Sequence, residues 1–396
     1  MPDAGPAGLD VVCVGFAEWD TELWTNQHHL MSRLARRNRV LFVESLGLRR
    51  PQLTAGRDVK RILRRLVTGL KGPRTSAEGV RVLSPLVLPL HASRWARRLN
   101  RVLLRRLVGR AAGDFERPVL WSYVPQAEVL LDALDPRLVV YHCVDDIAVQ
   151  DGIDFEGFRA AEARFAARAD LVLCSAPALR ERLARLNENV LLAPNVADTD
   201  AFAAALAAGP IDPQVAALPG PRIVFTGAIA AKKLDFDLLA GLAQRRPDWS
   251  IVLVGPVGLG DPQTDVSALE ALPNVHLLGP RAHADLPAVL RGADAGIIPY
   301  RHTDLTGSIF PMKVYEYLAA GLPVVSTDLP ALAGVDAVVR AEGAEATAQA
   351  LERLLREDST AARAARSQGA ASHSWDARLR EIGIALAALE PGEAAT

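Results

Sequence analysis

Short apolar runs recur along the chain, and they alternate with segments whose apolar residues fall at helical spacing. The first run covers residues 10–15, a helix pattern from Thr25 or Asn26 to Arg37 follows, and a second run lies at 40–43. Continuous apolar runs of this length suit strands that are buried on both faces, as in parallel sheets. The pattern therefore predicts an α/β protein that opens with a βαβ unit.

The alternation continues and then restarts, which predicts two domains. Residues 201–221 are rich in alanine, glycine and proline and are the best candidate for a linker. A chain of 396 residues has room for two domains of ordinary size. We expect a first domain at 1–200, a second at 201–371, and a C-terminal helix and tail at 372–396. The later apolar runs lie at 118–123, 138–141, 171–174, 190–192, 222–225, 251–254, 275–278 and 295–298.

Each apolar run of the second half stops at a glycine or a proline. These residues are Gly227, Gly255, Gly279 and Pro299. Gly15 ends the first run of the chain in the same way. Glycine at the carboxyl end of a parallel strand lets the backbone approach a ligand, and Lys232 and Lys233 add positive charge beside the first loop of the second half. The glycines do not form the G-x-G-x-x-G fingerprint, so NAD binding is not supported.

Residues 308–325 predict a loop, a short helix, a sharp stop and a buried strand. Pro311 suits the first helical turn, and Gly321 suits the end of the helix. Lys313 and Glu316 lie three residues apart, opposite an apolar face. A lysine in the first turn is unfavourable by itself, but a bound phosphate would reverse this; the alternative is a surface lysine paired with Glu316. The apolar face consists of Val314, Tyr315, Leu318 and Ala319.

Another polar group follows the run at 138–141. His142, Asp145 and Asp146 come directly after it, at the place where α/β sheets bind ligands. The two carboxylates are able to accept hydrogen bonds from a hydroxylated substrate or to take its proton, and a histidine does the same near neutral pH. The alternative is that one aspartate only caps the next helix.

Charge is distributed unevenly, although the formal net charge is only −1. Residues 49–110 hold seventeen lysines or arginines and two acids, which is +15 and leaves −16 for the rest of the chain. This asymmetry predicts an anionic partner. Nucleic acid is not expected, because the chain has neither an aromatic-rich stacking platform nor a helix-turn-helix pattern.

Two helix patterns in this basic region, at 59–70 and 94–110, combine leucine with arginine. Basic amphipathic helices suit the surface of an anionic bilayer. The alternative is an ordinary domain helix with a solvated arginine face. In the second helix, the residues expected to gather on one side, away from most of the arginines, are Trp95, Leu99, Val102, Leu103 and Leu107.

Composition excludes several classes of protein. No apolar run reaches about 18 residues, so no membrane span is predicted. Residues 1–10 lack the basic start and apolar core of a signal peptide. Cys13, Cys143 and Cys174 lie in or beside apolar runs, which predicts buried free thiols in a reducing cytoplasm. The histidines form no cluster with metal-ligand spacing, so no metal site is expected.

Several segments together resemble one family. The chain is similar to GT-B-fold glycosyltransferases of the large retaining family 4 type and, among these, to bacterial polysaccharide transferases of the teichuronic-acid sort. The resemblance covers the second half specifically and the first half more loosely, through residues 141–146 and the strand–loop–helix start. The segments that carry it in the second half are 223–227, 251–255, 273–279, 308–325 and 373–376.

The resemblance implies a fold and an activity. The fold is α/β, with two Rossmann-like doubly wound domains facing a cleft and a C-terminal helix that crosses back to the N-terminal domain. The first domain would bind the acceptor, and the second would bind a nucleotide sugar. The activity would be transfer of a sugar from a nucleotide-diphosphate sugar to a hydroxyl acceptor, in the synthesis of a cell-surface polysaccharide, a glycolipid or a secondary metabolite.

The resemblance also implies roles for residues. Lys233 matches a lysine that meets the donor pyrophosphate, and Glu316 matches the second of two glutamates that holds the ribose hydroxyls. Ser308 stands where the first glutamate is usual, and Ala228 replaces the usual arginine, so the donor sugar and the retention of configuration stay open. Lys313 is expected to replace the lost charge. The expected donor-binding residues are Gly15, Gly227, Lys232, Lys233, Gly255, Leu278, Pro299, Gly307, Ser308, Ile309, Phe310, Lys313 and Glu316.

The expected mechanism needs no metal and no other cofactor. Lys233, Lys313 and the amides of residues 307–310 would stabilise the departing diphosphate. Asp145, Asp146 and His142 are candidates on the acceptor side. The expected partners are the nucleotide-sugar donor, a hydroxylated acceptor that is free or lipid-linked, and an anionic membrane surface that contacts residues 49–110. The expected location is the cytoplasm, including the inner face of the cell membrane.

Two alternatives to the transferase activity remain from sequence. One is a non-catalytic GT-B-like binding or scaffold subunit, favoured by Ser308 and Ala228. The other is a nucleotide-sugar epimerase of the same fold, which would turn over the donor without an acceptor.

Overall fold

The computed structural model describes residues 5–21, 24–45, 72–85 and 94–389. The chain divides into two compact units, Met1–Pro194 with Arg378–Thr396 and Asn195–Ala377. The predicted linker at 201–221 instead contains short helices of the second unit. Phe202 and Val215 are buried there, so hydrophobic packing holds this segment to its unit.

The first unit is built on a largely parallel sheet. Its described strands β1 to β8 are Asp10–Val14, Arg39–Val43, Arg74–Thr75, Arg81–Leu83, Val119–Ser122, Leu138–Cys143, Leu171–Cys174 and Val190–Leu192. Their order is β3-β4-β2-β1-β5-β6-β7-β8, and the short β3 pairs antiparallel to β4. The order changes direction between β1 and β5. Ligands of doubly wound sheets bind at such a switch point, beyond the carboxyl ends of the strands.

The second unit is built on a parallel sheet of the doubly wound type. Its strands β9 to β14 are Arg222–Thr226, Ser250–Val254, Val275–Gly279, Ala295–Ile298, Val324–Ser326 and Val338–Arg340. The order β11-β10-β9-β12-β13-β14 is the Rossmann order, with its switch point between β9 and β12. The predicted apolar runs are confirmed as strands in both units.

Helices connect the strands. In the first unit, α1 to α5 are Asn26–Leu34, Arg94–Ala111, Leu131–Leu134, Phe155–Arg168 and Pro177–Leu183. In the second unit, α6 to α14 are Thr199–Ala203, Pro213–Ala216, Phe236–Arg245, Ser267–Glu270, Leu286–Arg291, Asp304–Gly307, Lys313–Ala319, Gly343–Glu357 and Thr360–Ala370. Helix α15, Trp375–Leu389, begins in the second unit and belongs to the first unit from Arg378 onwards. Turns of 3-10 helix lie at Pro125–Leu130, Ile147–Val149, Ala204–Leu206, His283–Asp285 and Pro330–Leu332. None of the described helices is long and apolar enough to cross a membrane.

Helix α2 forms at the predicted position, and its apolar residues differ in burial. Its predicted apolar side includes Trp95, Leu99 and Val102, yet these side chains are 59%, 40% and 43% exposed. Leu104 and Val108 are the residues that the helix buries, at 4% and 0% exposure. The helix therefore packs on the unit through its later turns and by its opposite side. The other predicted basic helix, at 59–70, lies outside the described residues.

The cysteines are free and buried, as predicted. Burial alone raises the pKa of the Cys13 thiol. Each of the three lies in a central part of the first sheet, in β1, β6 or β7. They therefore act as small apolar residues of the core.

Candidate functional site

The two glycine loops at the carboxyl edge of the second sheet touch each other. Gly227 follows β9 and Gly255 follows β10, and their φ angles are +138° and +155°. The Gly227 N–H donates to the Val254 carbonyl at 2.8 Å. A Cβ on Gly255 would lie 1.8 Å from the Gly227 carbonyl oxygen. The loops approach this closely only because Gly255 has no side chain.

Helix α12 is anchored to the same edge through Tyr317. The Tyr317 hydroxyl accepts a hydrogen bond from the Thr226 N–H at 2.7 Å. Its ring lies over Gly296 of β12, where a Cβ would be 2.4 Å from the ring. Gly321, with φ +77°, ends the helix as predicted, whereas the helix begins at Lys313, two residues later than Pro311. The helix therefore lies across the switch point between β9 and β12.

Lys313 forms a buried ion pair at this point. Its Nζ donates to both carboxylate oxygens of Glu316, at 3.0 and 2.7 Å. The Glu316 side chain is 1% exposed and that of Lys313 is 20% exposed, so Lys313 is not a simple surface lysine. A Cβ on Gly227 would lie 3.5 Å from Lys313 Cε. An ammonium has three protons, and Glu316 takes two, so one remains for an anion at the Gly227 loop.

Lys233 is linked to this loop through two aromatic rings. Its Nζ lies 4.6 Å from the centroid of the Tyr300 ring, which is a cation–π distance. The Tyr300 and Phe225 rings are 6.4 Å apart, and a Cβ on Gly227 would lie 3.4 Å from Phe225. A chain of contacts therefore runs from Lys233 to the loop that Lys313 borders.

Lys232 has a different environment. Its Nζ donates to the Gly260 carbonyl at 2.6 Å, and its backbone N–H donates to Asp261 at 3.0 Å. These bonds hold the loop after β10. The two neighbouring lysines therefore have different described partners, which are the Gly260 carbonyl for Lys232 and the Tyr300 ring for Lys233.

The loop before α12 is fixed by its neighbours. The Ser308 hydroxyl donates to the carbonyls of Asp304 and Leu305, at 3.0 and 3.1 Å, and is therefore occupied within its own turn. The Phe310 carbonyl accepts a hydrogen bond from the Asn195 side chain at 2.9 Å. These bonds position the backbone of residues 307–310. Ser308 itself supplies no carboxylate to a sugar.

An aromatic stack supports the same loop. The rings of Phe310 and Tyr315 are 5.7 Å apart, and those of Tyr315 and His373 are 4.1 Å apart and nearly parallel. Sequence reasoning did not assign Asn195, His373 or Tyr317 to the site. His373 lies in the segment 373–376 that carries the family resemblance, but its contact with Tyr315 and the contact of Asn195 with Phe310 depend on the fold.

The other predicted donor residues are more dispersed. The Pro299 carbonyl accepts a hydrogen bond from Asp235 at 2.8 Å, at the end of β12. The Leu278 carbonyl, on the edge strand β11, accepts one from Arg281 at 2.8 Å. Two strands, β10 and β9, separate Leu278 from the switch point. Gly307 ends α11, and Ile309 belongs to the loop before α12.

In the first unit, Gly15 has a packing reason to be glycine. A Cβ there would lie 2.4 Å from the Phe42 ring and 2.5 Å from the Gln27 side chain. The Gln27 oxygen instead accepts a hydrogen bond from the Phe16 N–H at 3.1 Å. Gly15 is buried at the switch point of this sheet, and the absent side chain makes space for core residues rather than directly for a ligand.

His142 is a buried, neutral ring. It is 1% exposed and stacks on Tyr123 at 4.8 Å, and neither ring nitrogen has a hydrogen-bond partner among the described residues. Burial, with a smaller contribution from the charge of Arg378, lowers the pKa of His142 to about 3. The ring therefore does not exchange a proton near neutral pH in this structure, and its expected role narrows to a neutral hydrogen-bonding group.

Asp146 belongs to a buried ionic network at the end of β6. One of its oxygens accepts a hydrogen bond from Arg159, and the other is buried without a described partner. Arg159 also binds Glu162 at 3.0 Å, and Glu162 binds Arg182 and accepts from the Tyr141 hydroxyl at 2.7 Å. Asp146 stands at the N-cap of a 3-10 turn without a capping bond from its side chain.

Asp145 is half-buried beside this network. Its backbone carbonyl accepts hydrogen bonds from the Ile147 N–H at 3.1 Å and from the Cys143 thiol at 3.6 Å. His142, Asp145 and Asp146 therefore all lie at the carboxyl end of β6, where His142 is neutral and Asp146 is ion-paired with Arg159.

The pKa of His142 predicts a pH dependence of stability. The unfolded chain protonates this histidine below its ordinary pKa of 6.5, but the folded chain does so only near 3. The contribution of the neutral His142 ring to the stability of the folded chain is complete above pH 6.5, and it is lost as the pH falls from 6.5 towards 3. Between pH 7 and pH 4.5, the wild type should lose about 2 to 3 kcal/mol more of its free energy of unfolding than His142→Phe does. Urea unfolding at both pH values measures this difference, and equal losses in the two proteins would contradict it.

Comparisons with known proteins show what the chain is similar to. Residues 220–357, which contain both glycine loops and the Lys313–Glu316 pair, match the family described as "Glycosyl transferases group 1". The fold is that of the GT-B glycosyltransferases. It is similar to HepE of Anabaena, with a TM-score of 0.66 and 15% identity over 96% of this chain and 100% of that chain. Sucrose-phosphate synthase of Thermosynechococcus elongatus gives a TM-score of 0.66 and 16% identity over 96% and 99%. The predicted family resemblance and fold class are confirmed.

A particular relative is also found. The chain is homologous to TuaH of Bacillus subtilis (strain 168), a glycosyltransferase assigned to teichuronic acid biosynthesis, with 32% identity over 236 residues. The match covers 56% of this chain and 58% of TuaH, so it spans little more than half of either protein.

Proposed function

We propose that this protein is a glycosyltransferase that moves a sugar from a nucleotide-diphosphate sugar to a hydroxyl acceptor. One observation carries the proposal: the ammonium of Lys313 is half-buried beside the Gly227 loop at the switch point of a sheet within the family-matched region. A cation that keeps one proton available at closely packed glycine loops suits a diphosphate. The second unit is the proposed donor-binding domain, and the first is the proposed acceptor-binding domain.

The proposed donor is a UDP-sugar. HepE, whose fold is similar, has been crystallised with UDP and with UDP-glucose. The proposed acceptor is a hydroxyl of a growing cell-surface polysaccharide, either free or lipid-linked, by analogy with the assignment of TuaH. The proposed location is the cytoplasmic side of the cell membrane.

In the proposed reaction the bond between the sugar C1 and the diphosphate oxygen breaks, and the acceptor oxygen forms a new bond to C1. Lys313, Lys233 and the backbone amides of residues 307–310 would stabilise the negative charge that develops on the diphosphate. If the acceptor attacks from the side of the leaving group, the departing phosphate takes the hydroxyl proton. A neutral His142 and an ion-paired Asp146 agree with a reaction that needs no dedicated base.

Donor binding is tested with a thermal-shift panel. UDP and UDP-sugars, at about a hundred times their Kd, should stabilise the protein by about 2.7 kcal/mol, which is a rise in Tm of roughly 5 to 10 °C. ADP, GDP and their sugars serve as the comparison set. We expect the same shift with EDTA, since two lysines replace a metal in the proposed site. Failure of every nucleotide to raise the Tm would contradict the proposal.

A scaffold subunit is the second candidate, because the Ser308 hydroxyl is occupied within its own turn and offers no carboxylate to the donor sugar. Incubation of the protein with radiolabelled UDP-sugars and a lipid extract distinguishes the transferase from the scaffold and the epimerase. Transfer to the extract supports the transferase. Tight binding without turnover would support the scaffold, and donor turnover that needs no acceptor would support an epimerase.

A further inference from the structure

Helix α2 has two apolar sides that face in opposite directions. Leu104 and Val108 are buried in the first unit. At about 100° per residue, Trp95, Leu99 and Val102 fall within an arc of about 60°, roughly opposite Leu104. These three side chains are 59%, 40% and 43% exposed, although large apolar groups gain from burial. Packing within the unit therefore accounts for one apolar side of the helix and leaves the other in contact with solvent.

Arginines accompany the exposed side. Helix α2 holds seven arginines and no acidic residue. Arg98 and Arg106 lie on or beside the arc of Trp95, Leu99 and Val102. Both are exposed, and neither forms an ion pair with a carboxylate of the described residues. We call the set Trp95, Arg98, Leu99, Val102 and Arg106 the outer face of α2.

We propose that the outer face of α2 docks on the surface of an anionic lipid bilayer. Charge complementarity carries the choice of partner: the helix has no acid, and residues 49–110 together have a net charge of +15. An interfacial helix places apolar side chains among the acyl chains, and its arginines bind lipid phosphates at the same depth. A nucleic acid would satisfy the arginines, but it offers no partner for Leu99 and Val102.

The docking surface is independent of the donor site. Its five residues lie in the first unit, whereas Lys313 and the glycine loops lie in the second. The proposal therefore stands or falls separately from the proposed enzyme activity. If both hold, docking brings the transferase to the surface that carries a lipid-linked acceptor.

Vesicle co-sedimentation of the full chain tests the proposal. The vesicles contain 40% phosphatidylglycerol in phosphatidylcholine, and vesicles of phosphatidylcholine alone are the reference. We expect binding only to the anionic vesicles, and weaker binding at 500 mM salt than at 50 mM. Arg98→Glu/Arg106→Glu should bind at least 25-fold more weakly, since each arginine at an anionic surface contributes roughly fivefold. Trp95→Ser/Leu99→Ser/Val102→Ser should lose at least tenfold while its charge is unchanged.

Matched controls lie elsewhere in the first unit. Arg180→Glu/Arg380→Glu makes the same charge change at two exposed arginines outside α2. Ile384→Ser removes an apolar side chain that is 74% exposed in α15. Both controls should bind vesicles like the wild type. All variants should keep the wild-type Tm and the wild-type response to UDP, which shows that the units are folded.

Three results would overturn the proposal. The first is a wild type that does not prefer anionic vesicles. The second is an apolar triple variant that binds as tightly as the wild type, or a control pair that loses as much as Arg98→Glu/Arg106→Glu. The third is a 30-nucleotide RNA that displaces the protein from the vesicles and itself requires the outer face of α2, which would identify that face as a nucleic-acid surface.

Discussion

Replacement of Lys313 by alanine is expected to lower turnover about a hundredfold to a thousandfold, which corresponds to roughly 2.7 to 4 kcal/mol of transition-state stabilisation. Its ammonium borders the Gly227 loop, where the proposed diphosphate accumulates charge as the sugar departs. Because this charge develops in the transition state, kcat should fall by more than KM rises. Steady-state kinetics with a UDP-sugar and a hydroxylated acceptor measures the effect.

Loss of Lys313 also leaves the Glu316 carboxylate buried without its partner, which destabilises a protein by about 3 to 5 kcal/mol. The double variant Lys313→Ala/Glu316→Gln removes that charge together with the ammonium. It should regain stability but not turnover. Lys232→Ala is the matched lysine control, since its ammonium binds the Gly260 carbonyl, and its kcat should stay within about threefold of the wild type. A folded Lys313→Ala variant with near-normal kcat would reduce the Lys313–Glu316 pair to a structural role.

Replacement of Gly255 by alanine is expected to destabilise the second unit by about 3 to 5 kcal/mol. The new Cβ would lie 1.8 Å from the Gly227 carbonyl oxygen, so the two loops must separate, and the φ of +155° adds backbone strain. Separation would also move the Gly227 loop away from Lys313. We therefore expect loss of the UDP-dependent rise in Tm along with the lower stability, both measured by thermal unfolding.

Gly279 offers a matched control for this substitution. It ends β11 as Gly255 follows β10, its φ is +72°, and no atom lies within 4 Å of its Cβ position. Gly279→Ala should therefore lose only about 1 kcal/mol, from backbone strain. Equal destabilisation by the two alanines would show that contact between the loops contributes little.

The strands and their glycine ends were predictable because they depend on neighbours along the chain. A buried parallel strand needs a short apolar run, and the pattern at 251–255 contains both the run and the glycine that ends it. The Lys313–Glu316 pair, which the sequence offered as the alternative to a phosphate contact, was predictable for the same reason, since residues three apart meet on any helix. The stop at Gly321 also follows from a local backbone requirement.

The faces of α2 were less predictable. Periodicity groups apolar residues, but it does not say which group meets the core. Leu104 and Val108 are buried because later turns of the helix pack on the unit, whereas Trp95 and Leu99 lie where the helix has no described neighbour to cover them. The same limit applies to Asp146, whose sequence position suggests a substrate contact and whose described partner is Arg159, thirteen residues away.

The amino-acid sequence by itself determined the α/β class, the strand-end glycines, the family resemblance and the pairing of Lys313 with Glu316, because each depends on local spacing. The tertiary structure decided that Gly255 touches Gly227 and that Lys313 borders the same loop from 86 residues further along the chain. It also decided that Ser308 bonds within its own turn and that His142 is neutral. These features depend on which distant segments pack together and how much water they exclude, and no spacing along the chain specifies that.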